Sequence, residues 1–221
     1  MPAIDSELQA LRENLLDMLS MVRAQLEKCI QAIEENDTTI AAQVKDDEKK
    51  VNIQELAIDR DCENILALHT PVATDLRLVI ATLKIANDLE RIGDSAKSLA
   101  KVISEDLTKK EYKWIESLGI VQMLTVLVDM LKEMGNAIKK SDTKPALKAA
   151  AKDEELNSYF KKALKTTGDL ILKNPDDAKT ILTLLLMVRN LERSGDLTKN
   201  IAEDIVFQIE AKVVKHKKAR K

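Results

Sequence analysis

Apolar residues recur at three- and four-residue intervals along nearly the whole chain, the spacing that places them on one face of an α-helix. Leu8, Leu11, Leu15, Leu19, Val22 and Leu26 open the pattern and predict a first helix over about residues 5–35. Asn36-Asp37 supplies a break and a capping residue. Ile40, Val44, Val51, Ile58 and Ile65 then carry a second helix over about 38–68. Thr70-Pro71 matches an N-cap followed by proline at the first helical position, where the missing N–H costs nothing; the third helix continues to about residue 106. The polar stretch Thr108-Lys109-Lys110-Glu111 separates two halves, 1–108 and 109–221. The second half repeats the plan, with helices over about 113–140, 144–172 and up to 212, a turn at Ser141-Asp142 and a second cap-plus-proline at Asn174-Pro175. Six helices in two groups of three with short connections predict an all-α fold of two tandem antiparallel three-helix bundles.

The halves repeat in detail as well. Asn87-Asp88-Leu89-Glu90-Arg91-Ile92-Gly93-Asp94 returns 102 residues later as Arg189-Asn190-Leu191-Glu192-Arg193-Ser194-Gly195-Asp196. Glu48-Lys49-Lys50-Val51-Asn52 resembles Asp153-Glu154-Glu155-Leu156-Asn157, and Asp75-Leu76-Arg77 aligns with Asp177-Ala178-Lys179. Each Leu-Glu-Arg-x-Gly-Asp copy displays carboxylates at i and i+4 on one helix face, which costs repulsion unless a cation sits between them. A glycine precedes each aspartate. In mid-helix it costs roughly 0.5–1 kcal/mol relative to alanine, which implies that something approaches the backbone closely there.

Composition narrows the class. With 45% hydrophobic and 33% charged residues the chain is folded rather than disordered, and 2% aromatics with few glycines and prolines fit helices rather than strands. A net charge of −2 gives no whole-molecule attraction to nucleic acid. Cys29 and Cys62 sit inside helical patterns without metal-type spacing and are read as free, mostly buried thiols of an intracellular protein. Asp5 and Glu7 interrupt any signal-peptide pattern, and no apolar run has the length of a membrane span. A soluble, cytoplasmic chain is the expectation.

The sharpest chemistry lies in Glu90/Asp94 and Glu192/Asp196. Hard oxygen donors suit Mg, Ca, Mn or Fe. Two carboxylates cannot complete a shell, so Glu48 and Asp153, which repeat in the preceding helices, are the further candidate ligands. The alternative is a solvated acidic face neutralised by neighbouring lysines and arginines. A catalytic di-iron bundle would need Glu-x-x-His pairs, but Leu66 stands three residues before His69 and Val213 three before His216. The chain has no phosphate-binding glycine loop, no Gly-x-Ser-x-Gly and no Cys/His nucleophile pair, and nothing points to catalysis. His69 is read as a loop residue, and Trp114 and the methionines as core. Arg91 and Arg193 point about 100° away from the acidic residues they follow, either as ion pairs or as contacts to a partner. The basic tail of Lys212, Lys215, Lys217, Lys218, Arg220 and Lys221 is either a solvated terminus or a contact to an anionic surface.

Taken with Thr74-Asp75-Leu76-Arg77 before the first acidic copy and Asn200-Ile201-Ala202-Glu203 after the second, these elements resemble the PhoU proteins, accessory regulators of bacterial and archaeal phosphate uptake. The resemblance covers nearly the whole chain, with both repeats in order. It implies two similar three-helix bundles, often paired as a homodimer. It also implies a cytoplasmic negative regulator working with the ATPase subunit of the ATP-binding cassette phosphate transporter and, in many bacteria, with a membrane sensor histidine kinase. It implies divalent metal or iron, in clusters held by Glu90, Asp94, Glu192 and Asp196, with Glu48 and Asp153 as further candidates. The chain departs from the family pattern at Ser95 and Leu197 after the motif aspartates, at Asp177-Ala178-Lys179, and at Ser98 where the second repeat has Asn200. None of these touches the acidic pairs. Two other classes fit the residues alone: a metal-storage bundle with no signalling partner, and a structural tether with its tail on a membrane.

Overall fold

The computed structural model describes residues 2–105 and 107–213. Among them the chain forms eight α-helices and no strand: α1 (Pro2–Glu35), α2 (Thr38–His69), α3 (Thr74–Ile103), α4 (Lys109–Ser117), α5 (Ile120–Lys140), α6 (Thr143–Ala150), α7 (Asp153–Lys173) and α8 (Ala178–Glu210). A short 3₁₀ turn at Pro175–Asp177 leads into α8. Helices α1, α2 and α3 pack against one another as one group, and α4 to α8 form the other, with α4/α5 and α6/α7 each filling the place of one expected helix. The two groups meet where α3 packs on α8 and α1 on α5, so the helices that carry the two acidic motifs lie against each other.

Local chemistry explains most boundaries. Asn36 turns the chain with φ 52°, and the Asp37 carboxylate accepts from the N–H groups of Thr39 and Ile40, capping α2 as its sequence predicts. Ser141 at φ 48° ends α5, and Asp142 caps α6 by accepting from Lys144 N–H. A single apolar core runs through both groups, with Leu15, Met18, Leu26, Ile85, Leu89 and Leu131 among its fully buried members. Each such side chain contributes roughly 1.5–3 kcal/mol on burial. Trp114, Met123, Met130 and Met134 belong to this core as expected, whereas Met21 and Met187 are only partly buried against it.

Four expectations are corrected. Thr70-Pro71 does not start α3: Thr70 is left-handed (φ 47°) and ends α2, while α3 begins at Thr74 after Ala73, itself at φ 47°. The expected helix over 113–140 begins earlier, at Lys109, behind a Thr108/Glu111 capping box, and breaks at Gly119 (φ 75°) into α4 and α5. The expected helix over 144–172 breaks at Ala151-Lys152, which puts Asp153, Glu154 and Glu155 in the first turn of α7, where the helix dipole favours negative charge. His69 is the last residue of α2 rather than a loop residue, and its Nε2 lies 3.0 Å from Glu7 Oε1 of α1. Among the described residues no single helix is long and apolar enough to cross a membrane; α4 with α5 reaches that length only across a 55° bend. Lys212 lies 2.8 Å from Glu210. The rest of the basic tail, Lys215, Lys217, Lys218, Arg220 and Lys221, is outside the described residues.

Candidate functional site

The α2–α3 contact brings Glu48, Glu90 and Asp94 together, with one ligand oxygen from each lying within 4.8 Å of the others. Glu48 is buried, and Asn52, one turn further along α2, donates its Nδ2 to Glu48 Oε1 at 2.7 Å. Lys97 Nζ lies 3.1 Å from Glu48 Oε2 and 3.6 Å from Asp94 Oδ1. Burial would raise the Glu48 pKa, but the Lys97 and Asn52 hydrogen bonds outweigh it and hold the carboxyl below its usual range. Glu90 goes the other way: burial first, then the charges of Asp94, Glu55 and Glu48, push its pKa up.

Gly93 is what lets this packing form. A Cβ there would sit 2.9 Å from Gln25 Oε1, which accepts no hydrogen bond although the Nε2 of the same fully buried side chain donates to Val44 O. The close approach expected from a mid-helix glycine is therefore real, and what approaches is α1.

The second repeat builds a related cluster from Asp153 at the start of α7 and Glu192 and Asp196 of α8. Asn157 Nδ2 donates to Asp153 Oδ2 at 3.3 Å, matching the Asn52–Glu48 pair, and Lys199 Nζ lies 3.7 Å from the same oxygen. Burial, followed by the charge of Asp196, raises the Asp153 pKa against Lys199 and Asn157. Burial also raises that of Glu192, opposed by the charge of Arg189 and assisted by Asp196 and Asp153. Asp153 Oδ1 and Glu192 Oε2 are buried without a hydrogen-bond partner. A Cβ on Gly195 would overlap Leu156 Cδ1 and come 3.0 Å from Asp153 Oδ1.

The clusters are not equivalent. Among the described residues only Glu48, Glu90 and Asp94 have ligand atoms mutually within 4.8 Å. The register that matches Glu48 to Asp153 and Asn52 to Asn157 places Phe160 where the first repeat has Glu55. The Arg189 guanidinium lies 5.1 Å from the Phe160 ring centroid and 3.7 Å from Glu192, so the second cluster lacks a counterpart of the neighbouring Glu55 and has an arginine beside it. The six acidic candidates thus fall into two groups of three. Arg91 and Arg193 lie beside the clusters, each lowering the pKa of the glutamate before it, and line a cavity that Asp94 also borders. Glu55, Lys97 and Lys199 escaped the sequence reading. Glu55 lies seven residues from Glu48, hence on the same helix face, and the two lysines each follow a motif aspartate by three residues at the common 102-residue offset.

A duplicated all-helical protein with a carboxylate cluster at the same point of each repeat is the class that fold and site define. The PhoU domain profile matches it twice, over residues 15–103 and 120–205. The chain belongs to the PhoU family. It is 31% identical over 216 residues to the phosphate-specific transport system accessory protein PhoU homolog of Pseudomonas aeruginosa, spanning 96% of this chain and 87% of that protein. It is 29% identical over 212 residues to the phosphate-specific transport system accessory protein PhoU of Escherichia coli, again spanning 96% of this chain and 87% of that protein. The crystal structure of PhoU from Pseudomonas aeruginosa matches with a TM-score of 0.85 at 30% identity over 94% of this chain and 99% of that one. The phosphate transport system regulatory protein PhoU from Streptococcus pneumoniae matches with a TM-score of 0.78 at 26% identity over 96% and 99%.

Proposed function

We propose that this protein is a cytoplasmic negative regulator of phosphate uptake and phosphate-starvation signalling. It acts as an adaptor on the ATPase subunit of an ATP-binding cassette phosphate transporter and, where the host has one, on a sensor histidine kinase. Relatives matched over 96% of the chain are named phosphate-specific transport system accessory proteins, which supports this reading. The halves 1–108 and 109–221 serve as two like units of a chain that pairs as a homodimer. The role is regulatory rather than catalytic. Deleting the gene is expected to raise phosphate uptake and switch on phosphate-starvation promoters in phosphate-rich medium; unaltered uptake and promoter activity would contradict it.

The two carboxylate clusters are the proposed sites for divalent metal or iron, one ion or a multinuclear cluster. The observation that carries this is the Glu48–Glu90–Asp94 triad, with three carboxylates from two helices in mutual reach. The donor set fits, because it is all hard oxygen and because Asp153 Oδ1 and Glu192 Oε2 are buried acceptors that lack a donor. Bound metal would supply positive charge to Glu90, Asp153 and Glu192, whose pKa values are raised by burial first and by neighbouring carboxylates second. Glu48, Glu90 and Asp94 would hold it between α2 and α3, and Asp153, Glu192 and Asp196 between α7 and α8.

A further inference from the structure

Arg91 and Arg193 hold the same position in the two repeats, 102 residues apart in sequence. Packing of α3 on α8 brings both to the wall of one open cavity of about 210 Å³, together with Asp94, Ser95, Ser98 and Asn190. That volume accommodates a small anion and several waters. Arg91 is loosely held, with Nη1 3.7 Å from Asp88 Oδ1, and Arg193 is exposed. Asp94 is the one acidic side chain on the lining, and Lys97 counters it at 3.6 Å.

Two guanidiniums offer donors in fixed planar forks that match the oxygens of a carboxylate or a phosphate in bidentate fashion. The Ser98 hydroxyl and the Asn190 amide add donors. Ser95 Oγ donates to Arg91 O at 3.1 Å and fixes its own side chain on the wall. Two bidentate guanidiniums with a hydroxyl and an amide offer about six donors from two helices, more than the roughly four lone-pair sites of one carboxylate, whereas the four oxygens of a tetrahedral oxyanion can accept them all.

We propose that the α3–α8 cleft binds a tetrahedral oxyanion, chemically a phosphate group, gripped by Arg91 from the first repeat and Arg193 from the second, with Ser98 and Asn190 completing the donor set. The site goes beyond the regulatory reading and does not depend on metal at the carboxylate clusters, so the two can fail separately.

The test is calorimetric titration of the chelator-treated full chain with inorganic phosphate and, in parallel, with a phosphoserine peptide. The same titrations are run on Arg91→Gln, Arg193→Gln and the control Arg189→Gln, which removes an equal charge outside the cavity. The expected result is one site per chain, weakened about tenfold or more by either cavity substitution, as for loss of a charge-assisted hydrogen bond, and little altered by Arg189→Gln. Arginine-dependent binding of either probe supports the site, and the tighter probe identifies whether free phosphate or a phosphorylated partner supplies the group. Failure of both probes to bind a protein with native circular dichroism overturns the proposal. So does equal weakening by Arg189→Gln, or capture of an aspartate-containing control peptide in preference to either phosphate.

Discussion

Lys97 of α3 places its Nζ 3.1 Å from Glu48 Oε2 of α2, so a side chain of the fold itself supplies positive charge to the carboxylate triad. The same ammonium lies 3.6 Å from Asp94, and Lys199 reaches Asp153 at 3.7 Å in the second repeat. Its hydrogen bond to Glu48, followed by the charges of Glu48 and Asp94, raises the Lys97 pKa, and the side chain is charged at neutral pH.

A metal ion bound at this triad, as proposed, would compete with that ammonium. Lys97→Met is therefore expected to tighten Mn²⁺ binding about twofold to fivefold, the equivalent of a partly exposed ion pair. Calorimetric titration of wild type and variant checks this; unchanged or weaker binding would mean that Lys97 does not occupy the metal position.

Glu90 carries a raised pKa in the folded state, so folding favours its protonated form. Its contribution to stability is greatest below its unfolded value of about 4.5 and is lost as pH rises through the higher folded value. Glu90→Gln is accordingly expected to stabilise the metal-free protein at pH 7. Relief of like-charge repulsion of about 0.2–0.5 kcal/mol corresponds to roughly 0.5–2 °C in Tm. Thermal melts in chelator should show the gain at pH 7 and its disappearance below pH 4.5.

Three glycines should respond to alanine in a graded way. Gly168 has nothing within 4 Å of an added Cβ, so Gly168→Ala gains helix propensity, about 0.5–1 kcal/mol. Gly93→Ala crowds the end of the Gln25 side chain at 2.9 Å, with Val51 and Val22 at ordinary contact distance, and should fall in between. Gly195→Ala drives into Leu156, which is fully buried, and crowds Asp153. Overpacking of this kind costs about 1–3 kcal/mol, or about 2–4 °C of Tm per kcal/mol. Denaturant midpoints that fail to rank Gly168→Ala above Gly93→Ala above Gly195→Ala would contradict the packing described.

Much of this was legible in the sequence because it depends on local chemistry. Asp37 caps a helix through its own carboxylate, Ser141-Asp142 marks a turn, and the i, i+4 acid pairs need only the helical period. What escaped depends on contacts between helices. Thr70-Pro71 carries the residues of a helix start, yet the left-handed Thr70 ends α2 and the chain runs on to Thr74. Gly119 falls inside the expected helix over 113–140, but it is left-handed and packed 3.0 Å from Tyr159 Cδ1 at its would-be Cβ. Lys97 and Glu55 acquire their roles only when α2 lies on α3, and the Arg91–Arg193 cavity exists only because α3 lies on α8.

Cys29 and Cys62 are free and buried. Burial pushes the thiol pKa of each up to about 12, aided at Cys62 by Asp59 and Asp61. Neither is expected to react with a thiol reagent in the native protein, and two equivalents should react after denaturation. Rapid native reaction would contradict the packing of α1 and α2.

The central claim is that the paired acidic motifs are cation sites. Its most direct test is the metal content, after Mn²⁺ loading and gel filtration, of the native chain beside a Glu90→Ala/Asp94→Ala/Glu192→Ala/Asp196→Ala variant. At least one tightly held ion per native chain is expected, lost in a variant whose helical circular dichroism is unchanged. Equal metal content in the two proteins, or none in the native chain, would contradict it.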